Sequence, residues 1–348
     1  MFKKSKIFAL ILVFVISIGL LAGCGDSNGS DNGSNATEKL KVAMVCSMGG
    51  LGDRSYNDSG YEGLKKIEKE LGMEIKVVEP KDVSEGEKYL TELAKAGYDL
   101  IATLEYGHAD ILNTVAPQFP ETRFAIFNIK VDQPNVTSVI FKEHEGSFLA
   151  GALSALVTSN TEIKGMNADK KLGFIGGIQS PGIDKFLVGF EEGAKYIDKE
   201  VEVISGYSNS FGDPAKGKEM ALVQMEQGAD IVYQVAGGTG EGVINAAKEK
   251  GVFAIGVDSD QDYIAEGNVL TSMMKRVDVA VFDLAKALQD GSIKDSNDMV
   301  LGLKEGGVQL SPMQYTKDLL PQEYLDKVEE LKGKIIDGEI VVTDITQQ

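Results

Sequence analysis

The 348-residue chain has little of what builds most reactive centres and cross-links: two cysteines and two histidines. Cys46 lies in an apolar, strand-like run and Cys24 directly follows an N-terminal apolar segment, so no disulfide framework is expected. Neither His108 nor His144 has another ligand-type residue at metal spacing, and no metal site is expected. No GxSxG elbow or Cys–His pairing is present, so nothing assembles a nucleophile, a base and an oxyanion hole. Positive charge is scarce as well: 35 Lys and Arg face 53 Asp and Glu, a net charge of −18. The first 23 residues hold three lysines and no acid, so the chain without them stands near −21. That balance argues against nucleic-acid binding, which rests on neutralising phosphates. Long apolar runs are limited to residues 7–22, and their 16 residues fall short of the ~20 that cross a bilayer as a helix.

That one run has a purpose in the sequence. Lys3, Lys4 and Lys6 precede it, and Leu21-Ala22-Gly23-Cys24 follows. A basic start, a short apolar stretch and small residues describe a secretory signal. The cysteine directly after the small residues resembles the lipobox of bacterial lipoproteins. That likeness implies cleavage after Gly23, lipidation of Cys24 and attachment to the outer face of a cell membrane. A cleaved signal with an incidental cysteine and a signal anchor are the alternatives. Residues 24–38 are mostly Gly, Ser, Asp and Asn, unable to bury a core, and read as a flexible tether.

From Leu40 onward, apolar runs alternate with helical patterns. The runs fall at residues 42–45, 75–78, 100–104, 124–127, 136–141, 172–175, 201–204, 231–235 and 253–257. They are continuously apolar, as strands buried on both faces are, and the alternation predicts parallel sheets with flanking helices. The pattern breaks at a longer helix near residue 143 and restarts at Leu172. Two α/β lobes are therefore expected, residues 39–142 with about 271–298 and residues 143–270 with about 299–348.

Several short motifs carry candidate chemistry. Residues 212–218, GDPAKGK, have the spacing of a phosphate loop, but Glu219 stands where a metal-binding hydroxyl is needed and Pro214 lacks a backbone donor. A helix capped by Asp213 with Pro214 in its first turn explains the segment better. Residues 237–242 have the wrong spacing for a dinucleotide loop, yet their turn places N–H donors at the rim of a sheet, where Gly238 is a binding candidate. Asp258 starts a calcium-like run, but Tyr263 and Val269 occupy the positions of its glycine and glutamate. Alone at a strand end, Asp258 suits the hydroxyl pair of a sugar. Residues 49–57, GGLGDRSYN, read either as a recognition loop or as an ordinary strand-to-helix loop with Asn57 or Asp58 as cap.

Taken together, GDRSYN (52–57), FKEHEGSFLA (141–150), GFIGGIQSPGIDKFLVGFEEG (173–193), FGDPAKGKE (211–219), residues 236–240 with Ala246-Ala247-Lys248, Gly256-Val257-Asp258 and TSMMKRVD (271–278) resemble the basic membrane protein family. These are lipoproteins related to the purine-nucleoside receptor. The resemblance implies the type I periplasmic-binding-protein fold, three crossovers between lobes and a ligand between them. It also implies the substrate-binding role of an ABC importer, with permease and ATPase subunits as partners and no cofactor. By position, the ligand, a nucleoside with a purine base, falls to Tyr56 and Asn57 of the first lobe, joined as candidates by Asp53 of the same loop and by Ser47 and Tyr106, where the chain departs from its relatives. Phe211, the less favoured Phe174, Gly238, Asp258 and Lys275 complete the set. Relatives often carry an Asp where this chain has Ser47, and Gly-Phe where it has Glu105-Tyr106. A flavin or sugar-like ligand, a receptor or adhesin of the same fold, and a nucleoside-hydrolysing enzyme are the other readings.

Overall fold

The computed structural model describes residues 39–293 and 298–347; the expected signal peptide, the tether and Cys24 lie outside them. The first half of the described chain runs β1 (Lys41–Val45), α1 (Tyr56–Lys66), β2 (Glu74–Val78), α2 (Gly86–Lys95), β3 (Leu100–Thr103), α3 (Ala109–Val115), β4 (Arg123–Phe127) and β5 (Val136–Phe141). The second half opens with α4 (Glu143–Thr158) and continues β6 (Lys171–Gly176), α5 (Pro181–Ile197), β7 (Glu202–Tyr207), α6 (Pro214–Glu226), β8 (Ala229–Val235), α7 (Thr239–Lys250), β9 (Phe253–Asp258) and β10 (Val269–Lys275). Then follow α8 (Val277–Gln289), β11 (Met299–Leu301), β12 (Val308–Leu310) and α9 (Gln322–Ile336). Among the described residues, no helix is long and apolar enough to cross a membrane.

The strands form two six-stranded sheets, in the orders β11-β5-β4-β3-β1-β2 and β12-β10-β9-β8-β6-β7. All pairings are parallel except that of β12 with β10. Every residue of β3, β8 and β9 is buried, which accounts for their largely apolar composition. Each sheet reverses its winding once, between β1 and β3 and between β6 and β8. Open parallel sheets leave a crevice beyond the carboxyl ends of the strands at that place. The loops after β1, β3, β6 and β8 are therefore the ones positioned to meet a ligand.

The chain passes between the two sheets three times: from β5 into α4, from β10 into α8, and from β11 to β12. Helix α4 packs on α5 and the second sheet, while α8 returns to pack on α1. The α4–α5 contact is backbone to backbone: a Cβ at Gly193 would lie 1.9 Å from the Phe148 carbonyl oxygen, and one at Gly151 2.0 Å from that of Phe190. The observed sheets redraw the expected lobe edges. β10 runs to Lys275 wholly inside the second sheet, and β11 is the outer strand of the first, beside β5. Thr271 and Ser272 disguise β10 by interrupting its apolar run. Both are buried and hydrogen bonded, Thr271 Oγ1 to Ser311 Oγ at 3.2 Å and Ser272 Oγ from the Gln261 amide at 3.0 Å.

Candidate functional site

The loop after β1 is tied together by carboxylates. Asp53 accepts from the amides of Ser55 (2.9 Å), Asn57 (2.9 Å) and Asp58 (3.1 Å) and from Asn57 Nδ2 (3.0 Å). Four donors fill a carboxylate's lone pairs. Asp53 is thus the cap of α1 and has none left for a ligand, which corrects the expectation that it binds one. It also performs the capping expected of Asn57 or Asp58. Asn57 is buried, accepts from the Ser47 amide at 2.8 Å and holds the loop shut, a positioning part in place of the expected contact. Ser47 Oγ donates to Glu105 Oε2 at 2.8 Å, and the Met48 amide reaches the same oxygen at 3.1 Å. The switch-point loops after β1 and β3 are so joined through Glu105.

Tyr56, the first residue of α1, is half-buried with its hydroxyl fixed. The hydroxyl donates to the Leu104 carbonyl at 3.1 Å and accepts from Asn128 Nδ2 at 2.9 Å. Burial, with Asp258, Glu105 and Glu143 nearby, pushes this phenol well above its ordinary range, so it is neutral and a hydrogen-bond donor. Lys275, at the end of β10, donates to Asn128 Oδ1 at 2.6 Å and pairs with Glu143 Oε1 at 2.6 Å. Its ammonium stands 5.1 Å from the Tyr56 ring centroid and 5.0 Å from that of Phe141. Glu143 also pairs with Lys185 at 2.7 Å, and all three side chains are buried. Burial alone would raise the Glu143 carboxyl, but Lys185 and Lys275 overcome it and hold the group at about 2. This cluster sits where two of the three crossovers meet, beside the candidate site.

In the second lobe, the Phe211 backbone and ring lie along the glycine turns. A Cβ at Gly177 would come within 2.2 Å of the Phe211 ring, so only glycine lets the ring lie across the end of β6. A Cβ at Gly238 would lie 3.3 Å from the Phe211 carbonyl oxygen and 3.8 Å from Asp53 Cα of the other lobe. The turn offers fewer donors than its sequence implies. The amides of Thr239, Gly240 and Glu241 already bond to carbonyls of residues 211 and 236–238. Asp213 caps α6, accepting from the Lys216 amide at 3.0 Å with Pro214 in the first turn, as expected from the sequence.

Asp258 ends β9 with φ +66° and a hydrogen bond from the Ser259 amide to the Val257 carbonyl at 2.8 Å, a γ-turn rare for a residue with a side chain. Arg54, Asn128 and Asn209, in the loops after β1, β4 and β7, also have φ between +52° and +68°. Strained backbone of this kind gathers at binding sites. Asp258 is only 7% exposed, and burial lifts its carboxyl to about 6 despite the Lys275 charge and the Ser55 hydrogen bond. The lobes touch here directly. Ser55 Oγ donates to Asp258 Oδ2 at 2.5 Å, Gln261 Nε2 to the Arg54 carbonyl at 2.9 Å, and Arg54 pairs with Glu241 at 3.1 Å.

The structure therefore brings Ser47, Tyr56, Phe211, Gly238, Asp258 and Lys275 to facing ends of two sheets. It does not bring Phe174, which is fully buried in the core with its ring edge-on to Tyr233 at 5.6 Å; strand pleating turns it away from the cleft. Tyr106 lies on the rim of the first lobe, 41% exposed. Ser55, Glu105, Asn128, Glu143 and Gln261 were not singled out by sequence. Each is an ordinary polar residue whose part depends on a partner at least 58 residues away in sequence.

This arrangement can be set beside known proteins. A family model described as ABC transporter substrate-binding protein PnrA-like matches residues 40–346. The CD4+ T-cell-stimulating antigen of Listeria innocua is 34% identical, over 98% of this chain and 99% of its own length. The ABC transporter nucleoside-binding protein BmpA of Lactococcus lactis is 33% identical, over 97% of this chain and 99% of its own. A solved ABC transporter solute-binding protein from Aeropyrum pernix superimposes with a TM-score of 0.80 at 30% identity, covering 87% of this chain and 94% of that one. The chain belongs to the PnrA-like family of ABC transporter substrate-binding proteins, which bind their ligands rather than transform them.

Proposed function

We propose that the chain is a lipid-anchored, extracytoplasmic receptor that closes its two lobes on a nucleoside, favouring a purine base, and delivers it to an ABC permease and its ATPase. The lobes are residues 39–142 with 276–293 and 298–301, and residues 143–275 with 308–347. The observation that carries the reading is Asp258. Among the described residues no donor bonds its Oδ1, while Ser55 holds Oδ2, so a buried carboxylate has capacity left for the hydroxyls of a ribose. Tyr56 and Phe211 supply aromatic rings from opposite lobes for the base. Lys275 has three ammonium protons, of which Asn128 and Glu143 take two. The name carried by the Lactococcus relative supports the ligand class, and Cys24 after its small residues supports the anchor.

Stacking contributes about 1–3 kcal/mol per base, and a hydrogen bond to a charged group about 1.5–3 kcal/mol. Contacts with both lobes stabilise the closed form over the open one, which is how binding drives hinge closure. Titration calorimetry against adenosine, guanosine, inosine, pyrimidine nucleosides, free bases, riboflavin and ribose tests the reading. Binding of purine nucleosides, with free bases and ribose each far weaker, is the expected result. Tight binding of riboflavin or a sugar, with none of any nucleoside, overturns it.

A further inference from the structure

Ser55 belongs to the first lobe and Asp258 to the second, so their hydrogen bond exists only while the lobes are closed. Both groups are buried, Ser55 fully. Ser55 Oγ lies 2.5 Å from Asp258 Oδ2 and 3.3 Å from the Val257 carbonyl, and its single proton goes to the nearer, charged acceptor. The serine backbone is fixed from both sides. Its amide donates to Asp53 Oδ1 at 2.9 Å, Ser259 Oγ donates to its carbonyl at 3.4 Å, and Gln261 Nε2 holds the preceding carbonyl of Arg54 at 2.9 Å. Gln261 is itself buried and anchored, donating its amide to Ser272 Oγ and accepting on Oε1 from Gln234 Nε2 and the Val257 amide.

We propose that Ser55 is a positioning residue for Asp258: it holds one carboxylate oxygen across the lobe boundary, aims the other at the ligand, and favours the closed form before any ligand arrives. This rests on the reading of Asp258 as the ligand-binding carboxylate. The open form loses the bond and exposes Asp258 to water. A ligand that requires closure binds more weakly in proportion to the fraction of protein already closed. The exposed Arg54–Glu241 pair beside it contributes little, as screened surface pairs do. The groups acting on the Asp258 charge are Lys275 of β10, Glu143 of α4, Asp53 of the loop before α1, and the Ser55 hydroxyl itself. Of these, Ser55 and Lys275 favour ionisation.

The test compares Ser55→Ala and Ser55→Thr with the unaltered protein, in two arms. In the first, small-angle scattering of ligand-free protein reads the lobe arrangement. Ser55→Ala is expected to have a larger radius of gyration, and Ser55→Thr, which keeps the hydroxyl, to match the unaltered protein. In the second, calorimetry with inosine across pH 5–8 is expected to show about tenfold weaker binding for Ser55→Ala, the change a 1.4 kcal/mol loss produces. Its pH midpoint should also lie higher than in the unaltered protein, because the hydrogen bond that favours the Asp258 anion is gone; Ser55→Thr should restore both. Scattering from Ser55→Ala identical to the unaltered protein overturns the proposal, as does a pH midpoint that stays in place. If the unaltered protein binds no nucleoside, that removes the proposed ligand, and the scattering arm alone still decides the part played by Ser55.

Discussion

Burial lifts the Asp258 carboxyl to about 6, so at neutral pH the folded protein carries a charge that burial disfavours. The cost is borne by the ligand-free fold and recovered when hydroxyls arrive. Asp258→Asn removes the charge and keeps an acceptor for Ser55. It is expected to raise the ligand-free melting temperature by about 2–6 °C while weakening nucleoside binding more than tenfold. An unchanged or lower melting temperature in differential scanning calorimetry would contradict the account of Asp258 as a strained binding group. Glu143 presents the opposite case. Its charge is neutralised by Lys185 and Lys275 on two different elements, and Glu143→Gln leaves two buried ammonium groups short of a partner. A loss of about 3–5 kcal/mol in urea unfolding is the expected result; a change under 1 kcal/mol would mean that water replaces the carboxylate. At this scale the sequence was informative about residue type and silent about partners. Asp53 follows β1 and Asp258 ends β9, both acids at the carboxyl end of a sheet, and only the fold shows that four donors saturate the first and one holds the second.

Helices and strands were legible where the hydrophobic period governs them and hidden where the site does. The apolar period of α1 starts at Tyr61, yet the helix begins at Tyr56, and that of α7 starts at Val243, yet the helix begins at Thr239; α4 begins at Glu143, where the sequence places it. Each missed turn is the helix N-terminus at the carboxyl end of the sheet. Its buried residues are small or polar, Asn57, Ser59 and Gly60 in α1 and Thr239, Gly240 and Gly242 in α7, so no apolar period marks them. The same logic hid β10, whose Thr271 and Ser272 are buried against hydroxyl and amide partners rather than apolar ones. α1 has the strongest dependence on its loop, because Ser55 at its cap position makes no capping bond and Asp53 does so from outside the helix. Asp53→Ala is accordingly expected to destabilise the protein by about 1–2 kcal/mol, the usual value of a cap. Ligand affinity should fall with it, since Tyr56 opens that helix. Retained stability, measured by urea unfolding, would assign the cap to another group.

For the whole molecule, the buried acids make opposing demands on pH. Asp230 and Asp258 are raised by burial to about 6, and Asp262 to about 7 by burial with Asp260 beside it. Between the ordinary aspartate value and these raised values the native state holds protons that the unfolded chain has released. Unfolding stability therefore falls as pH rises through this range and is regained as pH is lowered from 7.5 toward 5. Glu143 works the other way. Held at about 2 in the fold, it contributes stability that is fully present above the unfolded value near 4.5 and is lost as pH falls toward 2. The two tendencies cross only where the unfolded carboxyls themselves titrate, so the ligand-free protein should be most stable at about pH 4 or a little below, well under neutrality. Nucleoside should shift that optimum upward, because binding to the Asp258 anion is strongest above pH 6 and adds stability in proportion to occupancy. Thermal unfolding from pH 3 to 8, with and without inosine, reads both curves. A ligand-free maximum at or above pH 7 would mean that the buried aspartates are charged at no cost, and that the strain assigned to Asp258 is absent.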